Sequence, residues 1–223
     1  MKKVLFLIFL GISTIALAQD RTKDVGDYDE IKVYDLIEVN LIKSSENKVV
    51  VSGKNTEYVK IINDNGVLKI RMELEERFDG NSTTVDAYYS RLDIIDANEG
   101  SEISSKETIT QNSLILRTQE GGIIEATLEV ENLDVKSVSG GSVRLQGTAT
   151  NQKIKINTGG GFLGRDFRTA TTTVAITAAG TANVNASDKV TAKVTAGGSI
   201  YIYGNPKQVK DKKFAGGKIE IVN

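Results

Sequence analysis

Glycine recurs through the second half of this 223-residue chain at a spacing that constrains its architecture more than any other feature. Gly100, Gly121-Gly122, Gly140-Gly141, Gly159-Gly160, Ala179-Gly180, Gly197-Gly198 and Gly216-Gly217 follow one another at steps of 21, 19, 19, 20, 18 and 19 residues. A fixed period of this size marks a stacked repeat, in which each unit touches only its neighbours and buries its apolar face against them. The flanking residues identify the unit. Five, three and one positions before the glycines stand Leu116, Thr118 and Glu120, then Val135, Ser137 and Ser139, then Ile154, Ile156 and Thr158, with Lys136 and Lys155 between them. After the glycines come Ile124 and Ala126, Val143 and Leu145, Phe162 and Gly164, and Ile200 and Ile202, separated by Glu125, Arg144 and Tyr201. Alternation with period two, β-branched on one face and charged on the other, is the pattern of strands.

Each repeat is therefore expected to supply two short strands joined at a glycine corner, with equivalent residues stacked as inward columns. The fold class is all-β, a single-domain parallel β-helix with about 19-residue coils. A corner between strands needs positive φ or a close backbone approach that a Cβ would obstruct. Gly121, Gly122, Gly140, Gly141, Gly159, Gly160, Gly180, Gly197, Gly198, Gly216 and Gly217 are accordingly read as structural. A second, less regular bend carries Gly147 in one repeat and Gly204-Asn205-Pro206, with the only proline, in another. An antiparallel meander would need hairpin turns about every 8 to 12 residues, and its residues would not align at the longer step seen here.

Residues 19–97 lack the glycine period but alternate at Ile31 and Val33, at Ile37, Val39 and Leu41, and at Leu68, Ile70 and Met72. They are expected to form an irregular β cap on the glycine-marked repeats of 98–223. Asn65-Gly66 is the strongest hairpin signal, and residues 56–62 are compatible with a short helix. The strand at 219–222 should leave an exposed edge, either blunted by Lys218 and Glu220 or paired with a second copy in a homo-oligomer.

Residues 1–18 join Lys2 and Lys3 to an apolar run from Val4 to Leu10 and to Ala16-Leu17-Ala18. That is the layout of a secretory signal peptide cleaved after Ala18, and the run is too short for a spanning helix. The mature chain is expected to be exported to the periplasm, the outer surface or the extracellular space. Losing two lysines takes its formal charge from −1 to −3. Its basic residues are dispersed among nearly equal numbers of acids, so no nucleic-acid partner is expected.

With neither histidine nor cysteine in the chain, Ser-His-Asp, Cys-His, thiolate-metal and histidine-metal chemistry are excluded, as are disulfides. Carboxylates remain. Asp93, Asp96, Glu99 and Glu102 form a dense acidic stretch, and glycosidases need only two carboxylates at a set separation, but acidic pairs are also common on solvated strands. Asp166 between Arg165 and Arg168 is the nearest approach to a lyase cluster, and the glycine-rich stretch 159–166 lacks the repeated aspartate of calcium-binding nonapeptides. No catalytic residue, metal or cofactor is expected. Aromatic rings are the remaining handle for binding glycan or protein. Tyr201 and Tyr203 alternate with Ile200 and Ile202 and should both point outward, while the adjacent Tyr88 and Tyr89 must face opposite sides. The plain alternative is that the tyrosines only cover an outer sheet.

The chain resembles the head GIN domain family of auto-transporter adhesins. The resemblance rests on Tyr28-Asp29-Glu30-Ile31-Lys32-Val33, Val67-Leu68-Lys69-Ile70, Ser139-Gly140-Gly141-Ser142-Val143 and the stretch from Ala196-Gly197-Gly198 through Tyr203-Gly204-Asn205-Pro206. It implies a β-helix and an envelope or surface location, and it supplies no catalytic residues. Ala179-Gly180 and the irregular stretch 207–213 depart from the pattern. Three functions follow as expectations: an adhesive binding module, a periplasmic structural or sensing partner, and, with least support, a carbohydrate-active enzyme.

Overall fold

Alternation becomes strand along nearly the whole chain. The computed structural model describes residues 20–222, so the leader read at 1–18 lies outside the described residues. Within them, strands β1 to β17 occupy Arg21–Asp24, Glu30–Val33, Glu38–Lys43, Lys48–Gly53, Val59–Asp64, Val67–Met72, Thr83–Tyr89, Ile94–Ala97, Glu102–Ser105, Ile109–Thr118, Ile123–Val138, Ser142–Asn157, Gly161–Ala178, Thr181–Ala196, Ser199–Tyr203, Gln208–Ala215 and Lys218–Ile221. From β10 to β15 each strand pairs in parallel with its counterpart one coil later, and the result is a parallel β-solenoid.

One local expectation changes. β11, β12, β13 and β14 run 16, 16, 18 and 16 residues from one glycine corner to the next, in place of two short strands each. The second bend does not interrupt the ladder, because Val130 pairs with Ala149 and Asn132 with Asn151 across it. Two consecutive outward residues, Glu131 and Asn132, separate inward Val130 from inward Leu133, and this change of phase turns the strand without a loop. Each coil thus has two walls, one before its glycine corner and one after.

The inward columns form as the register requires. Ile124, Val143, Phe162, Ala182 and Ile200 stack on the wall after the corner, and Val135, Ile154, Val174 and Ala192 on the wall before it, all buried. Burying each large apolar side chain stabilises the coil by about 1.5–3 kcal/mol. The position just before the glycines leaves the column. Glu120, Ser139 and Thr158 are exposed and have φ of 51°, 48° and 51°, so they already belong to the turn. The step of 20 residues after Gly159 comes from one extra residue in β13: Arg144 pairs with Leu163, but Gly147 pairs with Phe167. Gly164 sits in this bulge because a Cβ there would run into the ring of Phe162, 2.7 Å from its Cζ.

The N-terminal cap is β throughout, and its irregularity has a definite form. β2 pairs in parallel with both β6 and β8, and β3 with both β7 and β9. The chain therefore lays the middle rung with β2 and β3, then the rung outside it with β6 and β7, and then returns on the inner side with β8 and β9. The corner between β2 and β3 turns at Asp35 and Leu36, with φ of 59° and 63°, without glycine. Asn65 and Gly66, both at positive φ, close the hairpin that sets β5 antiparallel to β6, and residues 56–58 form one 3-10 turn. β4 lies antiparallel to β7, and β1 to β4. Arg21 donates to the carbonyls of Thr56 and Val59 at 3.1 and 3.2 Å, and Lys23 to that of Ile61 at 2.7 Å, tying β1 to the outer edge of β5. At the other end β16 pairs only with β14 and β17 only with β15 among the described residues. There Asp211 and Lys213 continue the columns of Ala192 and Val194, and inward charges on an edge strand discourage further pairing.

Candidate functional site

β15 presents the predicted aromatic pair. Tyr201 and Tyr203 project outward between buried Ile200 and Ile202 and are half-buried. The Arg165 guanidinium lies 5.2 Å from the Tyr203 ring centre and Lys218 Nζ lies 5.2 Å from that of Tyr201, so each ring carries a cation on its face. Register places Tyr201 in one outward column with Arg144, Leu163 and Asn183. Arg144 pairs with Glu125 at 2.9 Å, and Asn185 Nδ2 donates to the Arg165 carbonyl at 2.8 Å. The wall after the corners is thus an open strip of aromatic, amide and guanidinium groups. These are the groups that stack on sugar rings or anchor a protein contact.

The second tyrosine pair is divided as strand geometry demands. Tyr88 is half-buried on the outer face of β7, 5.1 Å below Lys48 Nζ. Tyr89 is only 3% exposed and belongs to the core, so its ring offers no binding surface. Burial pushes its hydroxyl above the usual tyrosine range. Tyr88 and Tyr201 stand on rungs at opposite ends of one wall, about 34 Å apart at roughly 4.8 Å per strand, so the fold does not bring the two pairs together.

The acidic stretch does not converge. Asp93 pairs with Arg91 at 2.6 Å, Asp96 faces Lys32 at 3.9 Å, Glu99 bonds Arg77 at 2.7 Å at a corner, and Glu102 lies on the other wall. Asp166 is exposed in the β13 bulge. Among the described residues no group of three or more His, Cys, Asp or Glu side chains is placed to hold a metal.

One polar site centres on an aspartate that was not among the residues singled out from the sequence, with Glu99 of the acidic stretch at its edge. At the glycine-free corner between β2 and β3, the Asp35 carboxylate is buried and accepts hydrogen bonds from the Met72 and Phe78 amides at 3.1 and 3.4 Å. Arg77 Nε lies 3.7 Å from Asp35 while its Nη2 holds Glu99. Together with Tyr34 and Arg71 these groups line a cavity of about 600 Å³. Leu36 and Phe78 both hold φ above 60° here, an uncommon conformation for bulky residues that persists only where surrounding contacts enforce it. The available signal was an aspartate, which tolerates this region, between two alternating segments.

Burial raises the Asp35 carboxyl above the ordinary carboxylate range, the amide bonds oppose this, and neighbouring Glu99 adds to the rise. A carboxyl raised on folding contributes stability that is full below its unfolded pKa and lost as pH climbs through the folded value. Asp35→Asn, which stays neutral, is therefore expected to gain stability relative to the natural chain as pH rises from about 4 to about 7. Thermal unfolding of both proteins across that range tests this, and a difference that does not change with pH rules out the assignment.

Fold and surface together define a parallel β-helix with open, polar outer walls. The chain belongs to the family described as "Putative auto-transporter adhesin, head GIN domain", whose model matches residues 27–206. No curated protein sequence matches it. Among solved structures it is similar to a "putative adhesin" from Bacteroides fragilis, with TM-score 0.84, 17% identity, and 93% of this chain and 98% of that one covered. A "putative adhesin" from Parabacteroides distasonis has TM-score 0.75 and 22% identity over 92% and 97% of the two chains. A "putative lipid binding protein" from the same species has TM-score 0.70 and 16% identity over 94% and 98%. At these identities the likeness is one of fold. Among the described residues no helix is long and apolar enough to cross a membrane.

Proposed function

We propose that this chain is an exported, non-enzymatic binding module of the bacterial envelope or surface, an adhesin that takes glycan or protein on its outer walls. The observation that carries this reading is the outward pair Tyr201 and Tyr203, each ring capped by a cation on a stiff, open strip. A solenoid offers such a strip over many coils without reorganisation, which suits extended ligands. Family membership supports the same reading. Replacing both tyrosines by serine should weaken binding in glycan-array and matrix-protein screens at least about tenfold, since an interfacial aromatic contributes more than about 1.4 kcal/mol. Undiminished binding with an unchanged unfolding midpoint would leave the tyrosines as surface cover only. Protease treatment of intact cells distinguishes the compartments. Digestion with a periplasmic control spared supports the surface adhesin, and protection until the outer layer is broken supports a periplasmic structural or sensing partner.

A further inference from the structure

Lysine and arginine form no run along the sequence, yet the register of the coils gathers them. On the wall before the corners, Arg117, Lys136, Lys155, Ala175, Lys193 and Lys212 stand side by side in a single outward column. The lysines are 19 or 38 residues apart in sequence and one or two rungs apart in space. At the N-terminal end the column is neutralised, since Arg117 lies 3.4 Å from Glu30 and Lys32 faces Glu30 and Asp96. Beyond that point it is not. Lys136, Lys155, Lys193 and Lys212 are exposed and form no ion pair among the described residues.

Like charges set directly opposite in a sheet destabilise it, and here Lys136 faces Lys155 and Lys193 faces Lys212. None of these four lysines has a carboxylate within ion-pair distance among the described residues, the nearest acid on this face, Asp134, being engaged by Lys153 at 3.9 Å. On the same face of the wall, two residues before Lys153 and four before Lys155, runs a ladder of Asn132, Asn151 and Thr171, in which Asn151 Nδ2 donates to Asn132 Oδ1 at 3.2 Å. These side chains, with Asp134, Lys153 and Gln152, line a groove of about 450 Å³. The Gln152 side chain itself points inward, where its Oε1 accepts from the buried Thr172 hydroxyl at 3.2 Å. The groove and the lysine column are contiguous.

We infer that this wall binds an acidic polysaccharide, laid along the coil axis with its carboxylates on the lysine column and its hydroxyls on the amide and hydroxyl ladder. From Lys136 to Lys212 the column climbs four rungs, about 19 Å, and an extended sugar residue is comparable in length to the rise of one rung. Successive acidic sugars therefore meet successive lysines, with Ala175 leaving one rung unmatched. A nucleic-acid strand fits less well, because proteins that track single strands interleave aromatic platforms with their cations, and this column has none. The inference rests on the reading of the chain as a binding module and names its ligand class, on the wall opposite the tyrosine strip.

The test measures binding of the full mature chain to sodium polygalacturonate. The fully methyl-esterified polymer serves as its uncharged analogue, and single-stranded DNA as the competing polyanion. Polygalacturonate is expected to bind, and a fourfold rise in salt should weaken it roughly fiftyfold, the effect of about four released counterions. The quadruple variant Lys136→Gln, Lys155→Gln, Lys193→Gln, Lys212→Gln should lose most of that affinity and its salt dependence while unfolding at the same or a higher temperature. Equal binding by this variant, or equal binding of the esterified polymer, overturns the inference. Tighter binding of DNA than of polygalacturonate replaces the glycan with a nucleic acid. Tyr201→Ser with Tyr203→Ser should leave polygalacturonate binding intact, so failure of the tyrosine strip and failure of the lysine column are read separately.

Discussion

A chain carrying Ile156→Asp is expected to show no cooperative thermal transition by circular dichroism. Ile156 is 1% exposed and stacks between Ser137 and Ile176 in the column before the corner. The site is tight, since even a Cβ added at Gly180 would come within 2.6 Å of Ile156 Cγ2. Nor is there a donor to spare for a carboxylate. The Ser137 hydroxyl donates to the Gly141 carbonyl at 2.7 Å and accepts from Thr118 Oγ1 and the Gly161 amide at 3.0 and 3.2 Å. Removing the isoleucine costs about 2–5 kcal/mol and an unpaired buried charge several more, against a total stability of roughly 5–15 kcal/mol. Because coils touch only their neighbours, a break in the middle of the stack also deprives the rungs on both sides of a partner. A normal melting transition would mean that this position does not point inward.

The features legible in the sequence were those that repeat. Alternation around the glycines assigned the inward columns of Val135, Ile154 and Val174 and the outward direction of Tyr201 and Tyr203, because strand geometry admits no other phase. The order of the N-terminal rungs was not legible. Nothing local in residues 30–33 records that they lie between 67–72 and 94–97, since that placement is decided by which edges remain free once the chain has folded back. The corner at Asp35 escaped notice for a related reason, as it achieves positive φ with a buried aspartate and not with the glycine that marked the other corners. The lysine column illustrates the opposite case. Its members are present in the sequence at the repeat step, but charge is ordinarily judged along a chain, and only the coil register converts residues 19 apart into neighbours.

The two glycines of a corner are expected to respond unequally to alanine. At Gly159 φ is 78°, but a Cβ would meet nothing within 4 Å. The penalty there is that of a left-handed conformation, about 1–2 kcal/mol. Gly160 lies outside that region, and its obstacle is the preceding coil. A Cβ would lie 2.6 Å from the Ser137 carbonyl carbon, closer still to its oxygen, and 2.8 Å from its hydroxyl. Backbone cannot give way as a flexible side chain does, and the hydroxyl is the group that holds Thr118, Gly141 and Gly161 together. Gly160→Ala must therefore push adjacent rungs apart or disrupt that network, and a loss of about 3 kcal/mol is expected. Denaturant midpoints of the two single variants decide the matter. A larger loss at Gly159 than at Gly160 would show that turn strain outweighs rung-to-rung contact in setting the glycine period.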